Sequence, residues 1–437
     1  MTAVTYTLGV LLFVVGVAVS VGLHELGHMI PGKAFGVKVT QYFVGFGRTI
    51  WSRQRGETEY GVKAVPLGGY VKLIGMLPPA PDDESGKLRP TNTGVLSQMV
   101  SDARRAESEL IEPGDENRLF YRLPWWKKVI VMGSGVATNL VLAFLLFAVV
   151  FMGHGVRTPT TTVETISKCV VAVAPATQSQ PTGCSSADPV SPAVKAGLRP
   201  GDTIVAFNGR RVSGWEDLRT AIQSNADGAA TIVVERDGRR LTMHTNTTVS
   251  PRPDTGNPQK LTRTGFLGVT PTVALERQGP GFVVTTMANG TWETLKALGA
   301  MPVKLYHVAR AAIGLEQRDV NGPMSVVGAG RVAGELTSQQ AVPVSDRFFS
   351  VLLLIAGLNL FLGLLNLVPL LPLDGGQIAG ALYEAARRGV ARLLRRPDPG
   401  FVDVGKLLPV GYVMAGVILV ASVVLIYADI VAPISLS

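Results

Sequence analysis

Charged side chains are scarce in this 437-residue chain, where Asp, Glu, Lys and Arg together make up 17% of the residues. Hydrophobic residues reach 47%, and the mean hydropathy is +0.30. So little charge beside so much apolar content argues against an ordinary soluble protein and indicates a membrane protein with soluble parts. The chain also lacks low-complexity tracts and repeats of fixed period, which argues against a repeat architecture.

No segment alternates polar and apolar residues like a strand of a membrane barrel, so helices are the remaining way to cross a bilayer. Four stretches are uncharged and have at least the roughly 20 residues that a membrane helix needs. They are residues 4–23, 129–153, 348–373 and 407–428. The first has no basic flank before it and no A-x-A site after it, so it is not predicted to be a cleavable signal peptide.

The net charge of +9 would suit a nucleic-acid partner, but the basic residues are distributed according to the predicted spans. Lys and Arg are frequent in the connections between the first and second spans and between the third and fourth. The first three and the last seven residues contain neither. The positive-inside rule therefore places both termini, and the segment from about 154 to 346, outside the cytoplasm. We expect a multi-pass membrane protein without a nucleic-acid partner.

Cysteine is nearly missing, and the two that occur, Cys169 and Cys184, both fall in the predicted outer segment. An outer location permits a disulfide between them. Two independent thiols are the alternative, because sequence does not test the geometry.

The chain divides into predicted segments as follows. Membrane helices with their ends cover residues 1–31, 125–154, 347–376 and 407–430. Residues 32–77 have the β-formers and turn residues of a small sheet. Residues 78–124 are predicted to be a flexible cytoplasmic loop with a short helix near 96–109. A soluble α+β domain is expected over 160–250, a linker with an amphipathic helix at 291–313 over 251–346, and a basic cytoplasmic segment over 377–406.

Residues 24–28, His-Glu-Leu-Gly-His, fit the pattern H-E-x-x-H at the end of the first span. On a helix, His24 and His28 share a face and can reach one metal ion, for which zinc is the expected choice. Glu25 is then placed to take a proton from the attacking water and pass it to the leaving amine. Ionisable groups that continue an apolar span are usually functional. The alternative is a polar helix end that faces lipid headgroups.

A catalytic zinc site needs a third protein ligand. The remaining histidines, His154, His244 and His307, lie in the predicted outer segment, on the opposite side from the H-E-x-x-H motif. Asp374, at the end of the third span, lies on the same side as the motif. Prolines and glycines around Asp374 break the helix, which is tolerable at membrane depth beside a watery cavity. The sequence therefore predicts zinc bound by both motif histidines and Asp374.

With these motifs the chain resembles the site-2 proteases, which are zinc intramembrane metalloproteases, and in particular the actinobacterial members with an extracytoplasmic PDZ domain. H-E-x-x-H and Leu373-Asp374-Gly375, in this order and each at the end of a span, are specific to that family. The resemblance implies a polytopic α-helical protein of the bacterial plasma membrane with four transmembrane helices. It also implies a membrane-associated β-hairpin region over 32–77 and an inserted extracytoplasmic α+β PDZ-like domain over 160–250.

The resemblance also suggests residues that hold the substrate. These are Gly45, Gly47, Gly68 and Gly69 of the hairpin region, which in the family receives the substrate as an added strand, and Asn139 and Asn366 in the spans. Two positions depart from the family pattern. Val136 stands where the span-two motif has proline, and Leu371 stands at a position that is often proline before the aspartate. Neither departure removes a ligand or the base.

The function implied is regulated intramembrane proteolysis of single-span membrane proteins, with anti-sigma factors as the leading class, after a first cut by a site-1 protease. The PDZ-like domain would act as a size filter or tail reader. Two other functions stay open. A catalytically inactive PDZ scaffold predicts that Glu25 is dispensable and that metal is not bound. A metal transporter predicts polar residues along the spans, whereas here they cluster at one end of two spans.

Overall fold

The computed structural model describes residues 2–78, 95–109, 111–171, 183–185, 188–253 and 261–434. The chain forms two compact units, one made of Met1–His154 with Gln278–Ser437 and the other of Gly155–Arg277. In the described residues the helices, in chain order, are α1 (Thr2–Ala34), α2 (Val95–Ser108), α3 (Trp125–Ala148), α4 (Pro192–Ala196), α5 (Trp215–Ser224), α6 (Pro280–Gly299), α7 (Met301–Ala312), α8 (Val326–Ser338), α9 (Val344–Asn366), α10 (Asp374–Leu393) and α11 (Leu408–Val431). The strands are β1 (Val39–Arg55), β2 (Thr58–Leu73), β3 (Val156–Ile166), β4 (Thr203–Phe207), β5 (Arg210–Arg211), β6 (Ala229–Arg236), β7 (Arg239–Asn246), β8 (Thr248–Pro253), β9 (Leu261–Phe266) and β10 (Val269–Glu276).

Helices long and apolar enough to cross a membrane cover Ala3–Ala34, Trp125–His154, Val344–Asn366 and Val404–Val431. Within the described residues these are the four predicted spans, and their number and order are confirmed. α3 reaches His154 through a final π-helical turn, and a short 3-10 helix precedes α11.

The prediction that the third span continues to residue 373 or 376 is wrong. α9 ends at Asn366, and turns separate it from α10. Pro369 and Pro372 lack the backbone N–H groups that a continuing helix would need. Asp374 therefore begins a new helix instead of ending the span, and the segment 377–406, expected to be a basic connection, is helical as far as Leu393.

Contacts between the membrane helices use small and polar side chains. Ser134 Oγ on α3 donates a hydrogen bond to Gly27 O on α1 (2.7 Å), and Asn359 Nδ2 on α9 donates one to Ser20 Oγ on α1 (2.9 Å). Such bonds matter in a bilayer, where the hydrophobic effect does not drive helices together. A buried apolar cluster around Phe13 joins α1 to α8 and α9.

β1 and β2 form a folded hairpin directly after α1. The register gives Tyr42 two partners, Tyr60 and Val71, so the first part of β1 lies between the first and last parts of β2. No other described strand pairs with the last part of β2, Gly69 to Leu73, which leaves a free sheet edge. Tyr42 also donates from its hydroxyl to Gly22 O of α1 (2.7 Å), which fixes the hairpin against that helix.

The segment 78–124, predicted to be a flexible loop, is ordered where the structure describes it, and residues 79–94 lie outside the described residues. α2 occupies the position of the expected short helix. Glu107 near its end accepts hydrogen bonds from the backbone N–H groups of Met76 and Leu77, and Arg104 pairs with Asp403. The Glu107 contacts hold α2 beside the end of the hairpin, and the Arg104–Asp403 pair holds it to the segment before α11.

The second unit is an antiparallel sheet in the order β10-β3-β4-β6-β7, with β5 beside β4 and a separate β8–β9 hairpin. Ile204, Leu218 and Ile232 lie in its buried core. The expected boundary at residue 250 is wrong, because β8 and β9 occupy the predicted linker and β10 pairs with β3. Cys169 and Cys184 form a disulfide in this unit.

The amphipathic helix expected at 291–313 is instead two helices, α6 and α7, which meet at Ala300. Pro302 lies in the first turn of α7, where a missing N–H costs no hydrogen bond.

Candidate metal centre

Three side chains from α1 and α10 converge at one point. His24 Nε2 and His28 Nε2 are 3.2 Å apart, and each lies 3.3 Å from Oδ2 of Asp374. The histidines are one helical turn apart, so both imidazoles leave the same face of α1. Asp374 reaches them because the chain breaks after α9 and restarts as α10 at this residue.

The orientation of His28 is set by the neighbouring span. Its Nδ1 lies 2.8 Å from the backbone oxygen of Val131 on α3. Since a carbonyl oxygen can only accept, Nδ1 carries the proton and donates, and Nε2 of the neutral ring presents its lone pair to the centre. Proteins usually orient a metal-binding histidine by a hydrogen bond from its other ring nitrogen to a backbone carbonyl or a carboxylate.

The three atoms fit zinc. Imidazole nitrogen and carboxylate oxygen are zinc ligands, and a tetrahedral site with metal–ligand distances near 2.1 Å has its ligand atoms about 3.4 Å apart. The distances here are 3.2 to 3.3 Å. Oδ2 of Asp374 is buried and accepts no hydrogen bond in the described part of the chain, so a cation would satisfy it. A zinc ion held by these three residues would keep room for a water molecule or the substrate.

A cavity of about 510 Å³ opens beside this centre. Its walls include the ligand-bearing face of α1, the free edge of β2 from Gly69 to Leu73, and Ala106 and Glu107 of α2. Glu25 also lines it, and a β carbon on Gly69 of this edge would lie 3.1 Å from Glu25 Cγ. The candidate base, the three candidate ligands and an unpaired strand edge therefore share one space.

The residues predicted to hold substrate do not all reach this cavity. Gly69 lines it, and Asn366 Nδ2 lies 3.5 Å from His24 Nε2. Gly68, next to Gly69, has a positive φ of 110°, which only glycine adopts readily. Asn139 is buried where α3 meets α9, near Gly363, and does not line the cavity.

Gly45 and Gly47 do not line the cavity either, and they lie at positive φ in β1, where they allow the strand to bend. The three remaining histidines are elsewhere. His154 contacts Asp346 (3.0 Å), His307 contacts Glu316 (2.8 Å), and His244 contacts Thr231 (3.3 Å).

Sequence reasoning assigned no role to the helix that closes one wall of the cavity. The amphipathic pattern of α2 predicts a helix, but nothing in it says what the helix packs against. Sequence reasoning also assigned no role to Gly135, which directly precedes Val136 of the span-two motif. Gly135 lies against the ring of His28, where a β carbon would come within 2.2 Å of Nε2.

The sequence model of peptidase family M50 matches residues 12–394. The chain belongs to peptidase family M50. Zinc metalloprotease Rip1 of Mycobacterium tuberculosis is 34% identical to it over 448 residues, covering 99% of each chain. Zinc metalloprotease Rip1 of Mycolicibacterium smegmatis is 33% identical over 448 residues, with the same coverage. Metalloprotease MmpA of Caulobacter vibrioides is 29% identical over 392 residues, covering 86% of each chain.

The family and these relatives confirm that the protein is a zinc metalloprotease of the site-2 protease type and that its cofactor is zinc. With the four apolar helices found among its described residues, it is a multi-pass membrane protein.

Proposed function

We propose that the protein is an intramembrane endopeptidase in which His24, His28 and Asp374 bind zinc and Glu25 is the general base. The observation that carries the proposal is the convergence of the three ligand atoms at 3.2 to 3.3 Å beside the cavity that Glu25 lines. The cavity can admit the water that hydrolysis consumes, although the H-E-x-x-H motif continues an apolar span.

Zinc held by these ligands would make a water molecule acidic at neutral pH and polarise the scissile carbonyl. The protein's own residues do the rest. The carboxylate of Glu25 takes the proton of the attacking water and gives it to the leaving amine. The Glu25 side chain lies against Gly69 of the edge strand, next to the position where a peptide would lie.

The substrate is a single-span membrane protein that docks as an extended strand. The edge of β2 from Gly69 to Leu73 offers unpaired backbone groups inside the cavity, and an extended peptide forms regular hydrogen bonds with such an edge. Pairing of this kind also exposes the backbone carbonyls of the substrate, which are hydrogen-bonded and hidden in a helix. Gly69 belongs to this edge and Asn366 lies 3.5 Å from His24, so both are placed to contact the docked peptide. Gly45, Gly47 and Gly68 shape the hairpin that presents it, and Asn139 acts more remotely, through the α3–α9 contact.

The second unit, Gly155–Arg277, is a PDZ-like domain outside the cytoplasm, and both termini lie on the same outer side. The distribution of Lys and Arg and the disulfide between Cys169 and Cys184 support this orientation. The domain filters substrates such as anti-sigma factors, which a site-1 protease has already shortened. The metal centre acts near the cytoplasmic side, so cleavage releases a regulator into the cytoplasm.

The test is cleavage of a tagged single-span reporter in membranes, with zinc measured in every protein. We expect the wild type to cut, Glu25→Gln to retain zinc but not cut, and Asp374→Ala to lose both zinc and activity. Full zinc in Asp374→Ala would overturn the ligand set. Zinc-loaded wild-type protein that cuts none of a panel of shortened substrates would favour the inactive scaffold.

A further inference from the structure

Lys128 and Glu384 form a buried ion pair between the first turn of α3 and the middle of α10, the helix that begins at Asp374. Lys128 Nζ on α3 lies 2.8 Å from Glu384 Oε2 on α10. Lys128 is 7% exposed and Glu384 is 1% exposed. Breaking such a pair is costly, because the remaining charge stays buried without a partner. The predicted role of this stretch, a basic cytoplasmic connection, does not account for a buried carboxylate.

The surroundings tie further groups to the same pair. Lys128 Nζ and the Arg388 guanidinium each lie 5.1 Å from the centre of the Phe401 ring. Arg388 Nη2 lies 3.3 Å from Glu384 Oε1, one helical turn away on α10. Tyr121, next to α3 in sequence, meets the Phe401 ring edge-on. The middle of α10 is therefore held to the first turn of α3 by charge and by an aromatic ring placed between two cations.

Both helices also reach the zinc ligands. Lys128 is seven residues, two turns, before Gly135, so the two share a face of α3, and Gly135 lies against the ring of His28. Glu384 is ten residues after Asp374, a distance of about 15 Å along α10. α3 is thus linked to the ligands through the contact of Gly135 with His28, and to α10 through the pair of Lys128 with Glu384.

Because Glu384 and Asp374 lie on the same helix, the Lys128–Glu384 pair affects where Asp374 lies relative to the other ligands. If α10 slid by one residue against α3, Asp374 would move about 1.5 Å along the helix axis. Metal–ligand distances tolerate only about 0.2 Å. Apolar and small-residue helix contacts permit such sliding, whereas a buried charge pair specifies one register.

We propose that Lys128 and Glu384 are positioning residues that set the axial register of α10 and thereby place Asp374 on the zinc. The proposal rests on the ligand set proposed above. It differs from a purely structural role, in which the pair stabilises the fold but ligand placement follows from helix packing alone.

The two roles predict different behaviour in a paired apolar variant. Lys128→Met with Glu384→Met removes both charges at similar volume, and replacing a buried pair in this way is often neutral or stabilising. If the pair positions Asp374, thermal stability recovers in the double variant while zinc affinity stays reduced by about tenfold or more, the scale seen when groups supporting a metal ligand are lost. If the pair is only structural, affinity recovers together with stability.

The experiment measures zinc dissociation constants of the full-length purified protein by chelator competition, together with thermal unfolding, for Glu384→Gln and the double variant. X-ray absorption of the zinc-loaded proteins reports the oxygen ligand. The matched control is Arg318→Met with Asp429→Asn, which removes another buried pair (2.9 Å) that joins the segment before α8 to α11. We expect the control to keep wild-type zinc affinity.

Wild-type zinc affinity in the double variant would overturn the proposal. An Asp374→Ala protein measured in parallel keeps the two failures apart. If Asp374→Ala binds zinc as well as the wild type, the ligand set is wrong. If it does not, and the double variant still binds normally, only the positioning role is wrong.

Discussion

Gly135 on α3 lies directly against the imidazole of His28 on α1. A β carbon at residue 135 would be 2.2 Å from His28 Nε2, the atom that faces Asp374, and 2.4 Å from Cε1. The helices also approach closely at the residue before His28, where a β carbon on Gly27 would be 3.0 Å from the Cα of Gly135. The absence of two side chains therefore allows the ligand-bearing helix to pack against the second span.

Gly135→Ala should displace the His28 ring, because the new methyl group and Nε2 cannot occupy the same space. We expect zinc affinity to fall by about tenfold or more, as for other losses of ligand support. Chelator competition measures it, and cleavage should fall with it. Gly133→Ala, on the same helix with open space around the added carbon, is the matched control and should behave as the wild type. Equal zinc affinity in the two variants would contradict this account of the site.

Gly69→Ala should act on the base and leave the ligands in place. A β carbon at this residue would lie 3.1 Å from Glu25 Cγ and 2.9 Å from Phe43 O. Phe43 O is backbone and cannot yield easily, so the strand edge or the Glu25 side chain must move. We expect kcat on a reporter to fall by roughly tenfold or more, since general bases contribute about 10²–10⁴-fold. Zinc content should be unchanged. Joint loss of zinc and activity would show that the strand supports the ligands instead.

The zinc ligands could be predicted from the sequence because their chemistry and their position relative to the spans are both visible there. The spacing of His24 and His28 encodes a shared helix face, and the charge distribution places Asp374 at the same end. The same approach misplaced the end of the third span. An uncharged run looks continuous in composition, and the two prolines within it interrupt the helix without changing its hydropathy.

What the sequence could not reveal are contacts between distant segments. Glu384 looks like one charge among the many of a basic stretch, and its burial depends on Lys128, 256 residues away. The strands beyond residue 250 were missed for a similar reason, because β10 is recognisable as part of the domain only through its pairing with β3.

The disulfide gives a test of the proposed orientation. In cells, a bond between Cys169 and Cys184 requires an oxidising compartment, so both thiols should react with a maleimide only after reduction. Cys169→Ser should leave Cys184 reactive without reduction and provides the control. Closing a 15-residue loop stabilises a fold by about 3 kcal/mol, so the double serine variant should unfold at a lower temperature. Two freely reactive thiols in the wild type would argue against an outer location for this unit.

Asp202, in the second unit, should make the stability of that unit sensitive to acid. The residue is completely buried, and burial alone would raise its pKa. The hydrogen bonds from Arg236 (2.6 and 2.8 Å) and from the Arg199 backbone N–H (2.8 Å) outweigh that effect and hold the pKa of Asp202 below its usual value. The carboxylate is therefore bound more favourably in the folded unit than in the unfolded chain.

A carboxyl group whose pKa is lowered by folding adds stability above its unfolded value, about 3.9, and that stability is lost as the pH falls through the lower folded value. Arg236→Met should remove this contribution at neutral pH, lowering the protection of β4 and β6 amides from hydrogen–deuterium exchange in the full-length protein by roughly tenfold, the scale of a charged hydrogen bond. This loss of protection relative to the wild type should shrink below about pH 4, where the wild type loses the same interaction.

Arg219→Met, which removes an exposed pair with Glu216 (2.6 Å), is the control and should have little effect on amide protection at any pH. If Arg236→Met lowers amide protection equally at every pH, the effect comes from packing of the arginine side chain and not from the charge of Asp202.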